Sequence, residues 1–271
     1  PAPTQEPSAT ASDLPSGEPS PSASAPASTV PGETMIVRTY FVSTLANGGN
    51  AVIPVLRTVP KTTGVATAAM TALLAGTVDV EWSWDSPIET AIPQGTTLVG
   101  VAVDGTTATV TLSPEWKAAA GTFDVGRPME QIVYTLTQFS TIKKVIVATE
   151  DGSTSAALGR ADFRVDGLLQ PIFLDRPAFN AAFGNPGKIS GVANVFEATF
   201  RIQLLNAKGQ VIADQQVMAS CGTGCWGSFK ADVPYTVTKG QYGTLKVFDL
   251  SAKDGTPENE VSYRVWLTPG A

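Results

Sequence analysis

Seven runs of β-forming residues fill the last hundred or so residues of this chain, and no helical stripe interrupts them. They are Leu169–Leu174, Lys188–Val195, Ala198–Leu205, Val211–Met218, Ser228–Tyr235, Tyr242–Leu250 and Val261–Leu267. Turn residues part them, at Asn185-Pro186-Gly187, Asn206-Ala207-Lys208-Gly209 and Asp254-Gly255. Strands this short each have one face to bury, and stacking two sheets buries them all. The rhythm predicts a β-sandwich of immunoglobulin size over residues 167–271.

Within it lies Ser220-Cys221-Gly222-Thr223-Gly224-Cys225-Trp226-Gly227, which holds the only two cysteines. Glycine reaches backbone angles closed to other residues, so a loop this short can bring the two sulfurs together. A Cys221–Cys225 disulfide is expected, against the alternative of two free, half-buried thiols. Closing so small a loop restricts the unfolded chain by only about 2 kcal/mol, so the bridge would shape a turn more than staple a fold. Trp226 is placed to cover it. These cysteines are too close in sequence for an inter-sheet bridge. Zinc wants four ligands, and with no histidine and no third cysteine no metal is expected. The spacing is one residue longer than the usual redox C-x-x-C.

At the other end, residues 1–33 are built almost wholly from Pro, Ser, Ala, Thr, Glu and Gly, and hold eight of the 20 prolines. Such a segment cannot bury enough surface to offset its ordering entropy, so disorder is expected. We read it as a tether holding a folded head off a membrane, behind a lipidated cysteine preceding Pro1. The alternative is a plain linker. Any membrane contact would come through that anchor, because no stretch approaches the apolar run that crosses a bilayer. Net charge is −6, of which four acids and no bases fall in the tail. The remainder carries no strong field, which argues against nucleic acid and anionic lipid.

Between these, residues 34–166 read as an α/β domain, making the chain α+β overall. Met35–Val42 and Ala51–Val59 form two strands turned by Asn47-Gly48-Gly49-Asn50, with Pro54 marking an edge or bulge. A helix runs from a Thr62 or Thr63 cap to about Ala75, stopped by Gly76. Residues 78–92 are irregular and contain Trp82 and Trp84. Asp104-Gly105 between β-rich runs marks a hairpin. Ser113-Pro114-Glu115 opens a short helical turn. Pro128 starts a second main helix through about Phe139, with Met129, Ile132, Val133, Leu136 and Phe139 on one face. Lys144–Thr149 is a short buried strand, and Leu158–Val165 a peripheral hairpin arm or extended strand. The economical packing sets both main helices on one face of a small mixed sheet.

Several of these stretches resemble the GerMN domain, named from the sporulation and germination protein GerM. They are Pro54–Pro60, Ala72–Gly76, Ala91–Thr96, Val110–Ser113 and Gln131–Leu136. The cysteine octet, Gly191–Phe200, Gly243–Phe248 and Ser251–Gly255 resemble the GerM-associated immunoglobulin-like (Gmad) domain. The order of the two is similar to that in cell-envelope lipoproteins of Gram-positive bacteria. The resemblance implies a module outside the cytoplasmic membrane, similar to the ring-building folds of secretion machines. It carries no catalytic residues with it, and this chain departs from the pattern in lacking the lipidated cysteine.

The residues themselves show no catalytic motif. There is no G-x-S-x-G, no histidine, no phosphate loop and no dinucleotide fingerprint, and a Ser–Lys dyad has no motif here. The one arrangement resembling a sugar site is Glu81, Asp85 and Glu89 flanking Trp82 and Trp84. The blander reading is a surface loop whose indoles cover a sheet edge. Asp254, Glu258 and Glu260 suggest a charged turn before they suggest calcium. No cofactor is expected. The leading expectation is a non-enzymatic, membrane-tethered envelope adaptor that binds an envelope protein or itself, in a ring or other oligomer. The alternatives are a cell-wall glycan binder using Trp82 and Trp84, and a carboxylate-dependent wall hydrolase.

Overall fold

A computed structural model describes residues 29–45, 49–118, 123–165 and 168–270. Most of the proposed tether, and the Asn47-Gly48 part of the first turn, lie outside the described residues.

The first half is built on β1 (Thr29–Thr44) paired antiparallel with β2 (Asn50–Thr62), in register from Thr34 opposite Pro60 to Thr44 opposite Asn50. Helix α1 (Val65–Leu74) follows, then the single turn α2 (Asp79–Trp82) and the two-residue strand β3 (Ile88–Glu89). Gly64, not a threonine, caps α1. The Thr62 hydroxyl instead accepts the Gly64 amide at 3.1 Å. Gly76 ends the helix region at φ +81°. Strands β4 (Leu98–Asp104) and β5 (Thr107–Leu112) form the expected hairpin, with Gly105 at φ +54°. A 3-10 turn over Pro114–Ala118 and helix α3 (Arg127–Leu136) lead to β6 (Lys144–Thr149), parallel to β5. Two three-stranded sheets result, in orders β2-β1-β3 and β4-β5-β6, rather than one mixed sheet. Leu158–Val165 is not a hairpin arm: it contains a 3-10 turn at Arg160–Phe163 that buries Phe163.

The polar side of α3 departs from the amphipathic expectation. Gln131 and Thr135 are as fully buried as Ile132 and Val133. The reason is the second edge of β1, where β3 pairs only with Val42 and Ser43. The backbone groups upstream still need partners in a dry interior. Side chains from α3 and the residues just after it supply them. The Gln131 amide donates to the Tyr40 carbonyl at 2.9 Å, and the Thr135 hydroxyl accepts the Tyr40 amide at 3.1 Å. The Gln138 side chain accepts the Arg38 amide at 2.8 Å and donates to its carbonyl at 2.5 Å. Positions 131, 135 and 138 lie on one helical face, so this polar stripe acts as a surrogate strand.

In the second half, β7 (Ile172–Arg176), β8 (Ala182–Phe183), β9 (Gly187–Ala193), β10 (Thr199–Leu205), β11 (Val211–Met218), β12 (Gly227–Val233), β13 (Gln241–Leu250) and β14 (Pro257–Leu267) make two sheets. Their orders are β12-β9-β7 and β11-β10-β13-β14-β8. All seven expected strands are present, and only the two-residue β8 is additional. Phe200 and Phe229 meet edge-to-face between the sheets at 4.7 Å. Gly191 permits the approach of β7, since a Cβ there would lie 1.9 Å from the Phe173 carbonyl oxygen.

The apolar core runs without a break from one half into the other. Gln170 repeats the surrogate-strand device, donating to the Val52 carbonyl at 2.9 Å and accepting its amide at 3.1 Å. The Phe179 amide donates to the Pro54 carbonyl at 2.8 Å, on the outer edge of β2 where a proline is tolerated. Asp175 of β7 reaches back to accept from the Tyr40 hydroxyl and from Arg160 at 3.0 Å. The Arg160 guanidinium lies over the Tyr134 ring at 4.7 Å and bonds the Thr137 hydroxyl at 2.9 Å. Burial pushes the Tyr40 hydroxyl up to about 12 against the pull of Arg160. Burial alone would also raise Asp175, but Arg160, Tyr40 and Arg38 outweigh it and hold that carboxyl below its ordinary value. The two halves therefore share one core and a set of hydrogen bonds across it.

Candidate binding surfaces

An apolar recess of about 480 Å³ lies between α1 and the part of β2 beyond Val55, an edge strand among the described residues. Val59, Ala68, Ala72 and Ala75 line it, together with Thr67, Thr71 and Pro60. Small residues on α1 leave the recess open, where larger ones would have filled it against β2. Arg57 closes one end. Its guanidinium pairs with both oxygens of Glu81 at 2.7 and 2.8 Å, donates to the Gly76 carbonyl at 3.2 Å, and lies over the Phe41 ring at 5.1 Å. The end of α1, the turn α2 and strand β2 are thus held as a unit.

This pairing also decides what Glu81 can do. Its carboxylate is buried and accepts from Arg57 and from the Val78 amide at 3.0 Å, so both its oxygens are engaged within the protein. The two indoles beside it go separate ways. Trp82 is 54% exposed and walls a hollow of about 460 Å³ with Leu74, Glu89, Thr90 and Gln94. Trp84 turns inward and meets Phe179 of the second half edge-to-face at 5.6 Å. Trp82 is therefore presented to solvent without Trp84 beside it.

At the far end of the sandwich, Asp254 accepts from the Thr256 hydroxyl at 2.7 Å and from its amide at 3.1 Å, which lowers its carboxyl. Glu260 pairs with Lys246 at 2.8 Å. Among the described residues no group of three or more His, Cys, Asp or Glu could hold a metal ion.

The octet links β11 to β12. Cys221 and Cys225 are bonded, with 6.0 Å between their Cα atoms. The loop is knit to its neighbour: the Thr223 amide donates to the Val195 carbonyl at 2.9 Å, the Gly224 amide to the Asn194 side chain at 2.9 Å, and the Glu197 amide to the Thr223 hydroxyl at 3.1 Å. Glycine is required at 222, where a Cβ would lie 2.3 Å from the Ala198 nitrogen. Trp226, expected to cover the bridge, is engaged with the first half of the chain. Its indole N–H donates to the Arg164 carbonyl at 3.0 Å, in the segment joining the two halves. Only the three-dimensional path of residues 160–165 reveals that role, since Trp226 and Arg164 are 62 residues apart.

Comparison with known proteins places two families on the chain. Residues 38–154 match the Germane model, described as sporulation and spore germination. Residues 171–256 match Gmad2, an immunoglobulin-like domain of bacterial spore germination. Among solved structures, the tandem GerMN domains of the sporulation protein GerM from Bacillus subtilis are 18% identical over 51% of this chain and 48% of that one, with a TM-score of 0.37. The first GerMN domain of the same protein is 22% identical over 47% of this chain and 99% of that one, at 0.36. A candidate lipoprotein from Clostridium perfringens is 18% identical over 51% and 82%, at 0.28. The chain thus spans about half the length of the tandem structure it matches. No curated protein matches it.

Proposed function

From a chain that carries a GerMN domain followed by a Gmad-type immunoglobulin-like domain, we propose a non-enzymatic adaptor of the bacterial cell envelope. It works outside the cytoplasmic membrane and is tethered there through its proline- and serine-rich N-terminal segment. Its contribution is geometric: a folded head that offers a protein partner, or a further copy of itself, a preformed surface. The observation that carries this reading is the open recess between α1 and β2, held in shape by the Arg57–Glu81 pair. An apolar recess with small-residue walls, beside the part of the β2 edge beyond Val55, suits a docked segment, with main-chain bonds along β2 and side chains on α1.

A photo-crosslinking residue at Ala68, within the native envelope, tests the reading. The expected result is a discrete protein adduct that is lost when Ala72→Arg fills the recess. The same residue placed at Lys208, on an exposed turn of the sandwich, serves as control. Adducts from position 68 no stronger than those from position 208 would overturn the assignment.

A second reading, binding of wall glycan, is favoured by the exposed Trp82 indole above Glu89 and Gln94. Retention on insoluble wall glycan should then fall with Trp82→Ala and persist with Trp84→Ala, whose indole is engaged by Phe179. Equal retention of both variants removes Trp82 as the contact.

A further inference from the structure

The octet is a costly piece of backbone for the small turn it makes. Its loop and the loop it is knit to hold three non-glycine residues in the left-handed region: Glu197 at φ 52°, Ala198 at φ 58° and Thr223 at φ 50°. Such angles persist only where surrounding contacts enforce them, and they gather at sites with a task. The octet loop they shape leads directly into Trp226. That indole is tethered at its nitrogen to the Arg164 carbonyl and forms one wall of a hollow of about 300 Å³ where the two halves meet.

The chemistry of this hollow is specific. Leu45, Leu169 and Pro171 give it an apolar side. Asn50, Asn194 and Asn259 line it, and none of its described lining residues is ionisable. Two of their side-chain amides are half spent, each in a way that leaves a group over. The Asn194 oxygen accepts the Gly224 amide, which leaves its NH2 for a ligand. The Asn259 NH2 donates to Asp249 at 2.8 Å, which leaves its oxygen to accept. Asn259 is itself left-handed, at φ 53°. The Asn50 side chain has no partner among the described residues. Among the described lining residues, none offers a charged ligand a counter-charge for the water it would lose. A neutral ligand rich in hydroxyl or acetamido groups would find donors, acceptors and an aromatic face together, at a junction between domains where small-molecule sites concentrate.

We propose that this junction hollow is a binding site for a neutral saccharide, one ring of which stacks on the Trp226 indole while the asparagine amides bond its polar groups. The inference does not depend on the recess beside α1, nor on Trp82. Its size admits about one to two sugar rings.

The test is titration of the purified full chain with two neutral disaccharides, cellobiose and N,N′-diacetylchitobiose, followed by ligand-observed NMR. At least one should bind with a dissociation constant in the range of about 0.1–10 mM. Trp226→Ala should weaken it about tenfold or more, Trp226→Phe less, and Asn50→Ala by roughly threefold. Asn50→Ala alters an exposed side chain with no internal bond, so it reads the site without disturbing the fold. Trp82→Ala should leave affinity unchanged. Glucuronate, as an anionic sugar, should not bind. Absence of binding by both disaccharides up to about 50 mM overturns the proposal. So does binding that survives both Trp226→Ala and Asn50→Ala, or binding that Trp82→Ala abolishes. Failure of partner cross-linking at Ala68 leaves this result untouched, so the two readings fail separately.

Discussion

Glu130 offers the sharpest quantitative test of the packing. It lies on α3 with no exposure, and one carboxyl oxygen has no partner among the described residues. The other accepts from Arg127 at 2.6 Å, and Arg127 also bonds the Asn50 carbonyl at 2.8 Å. Burial pushes the carboxyl up to about 7 from its ordinary 4.5, with Arg127 pulling the other way. In the folded protein the group keeps its proton to about pH 7, while the unfolded chain releases it near pH 4.5. Between those values the folded state binds more protons, so the unfolding free energy must fall as pH rises. The difference amounts to about 3 kcal/mol lost across that window. The chain has no histidine, so no imidazole titrates there. Asp249 is raised by burial and adds a slope of the same sign, while Asp175 is lowered and acts only at more acid pH. Replacing Glu130 by Gln removes the titrating group and keeps its volume. Below pH 7 the amide is a neutral acceptor for Arg127, as the protonated carboxyl is, so the cost of the substitution to that contact there is about 1 kcal/mol or less. Urea unfolding of both proteins, followed by tryptophan fluorescence from pH 5 to 8, gives the comparison. The stability of Glu130→Gln relative to the parent should rise by about 2.5 kcal/mol over that range. A difference that stays constant with pH would refute the argument.

Two further outcomes follow from the junction. Asp175→Ala leaves Arg160 and the Tyr40 hydroxyl without their acceptor in a mostly buried place, so global stability should fall by about 3 kcal/mol in urea unfolding. Gln170→Ala strips both backbone bonds from Val52, and should cost about 2–4 kcal/mol while amide exchange at Val52 accelerates ahead of exchange at the centre of β13.

Much of the architecture was legible because it is written locally. The sandwich strands follow from a period of two between turn residues, and the β4–β5 hairpin from Asp104-Gly105. The closeness of Cys221 and Cys225 follows from two glycines in three residues. Where local signals are ambiguous, the expectation slipped. Leu158–Val165 carries enough apolar residues for a strand, but its backbone turns at Arg160 so that the guanidinium can reach Tyr134 and Asp175. Trp82 and Trp84 stand two residues apart, yet one indole faces solvent and the other Phe179.

What the amino-acid order determined by itself was the pair of folds, their sequence along the chain and the closed loop of the octet, because each depends on residues within a turn or a strand of one another. What only the tertiary structure decided was which polar side chains would be turned inward. Gln138 serves Arg38 across 100 residues and Gln170 serves Val52 across 118. Nothing in the vicinity of either glutamine marks it as different from a solvated one. The unpaired edge of a strand creates the demand, and the demand exists only once the chain has crossed itself to leave that edge dry. The same crossing sets Trp226 against the linker and opens the hollow beside it.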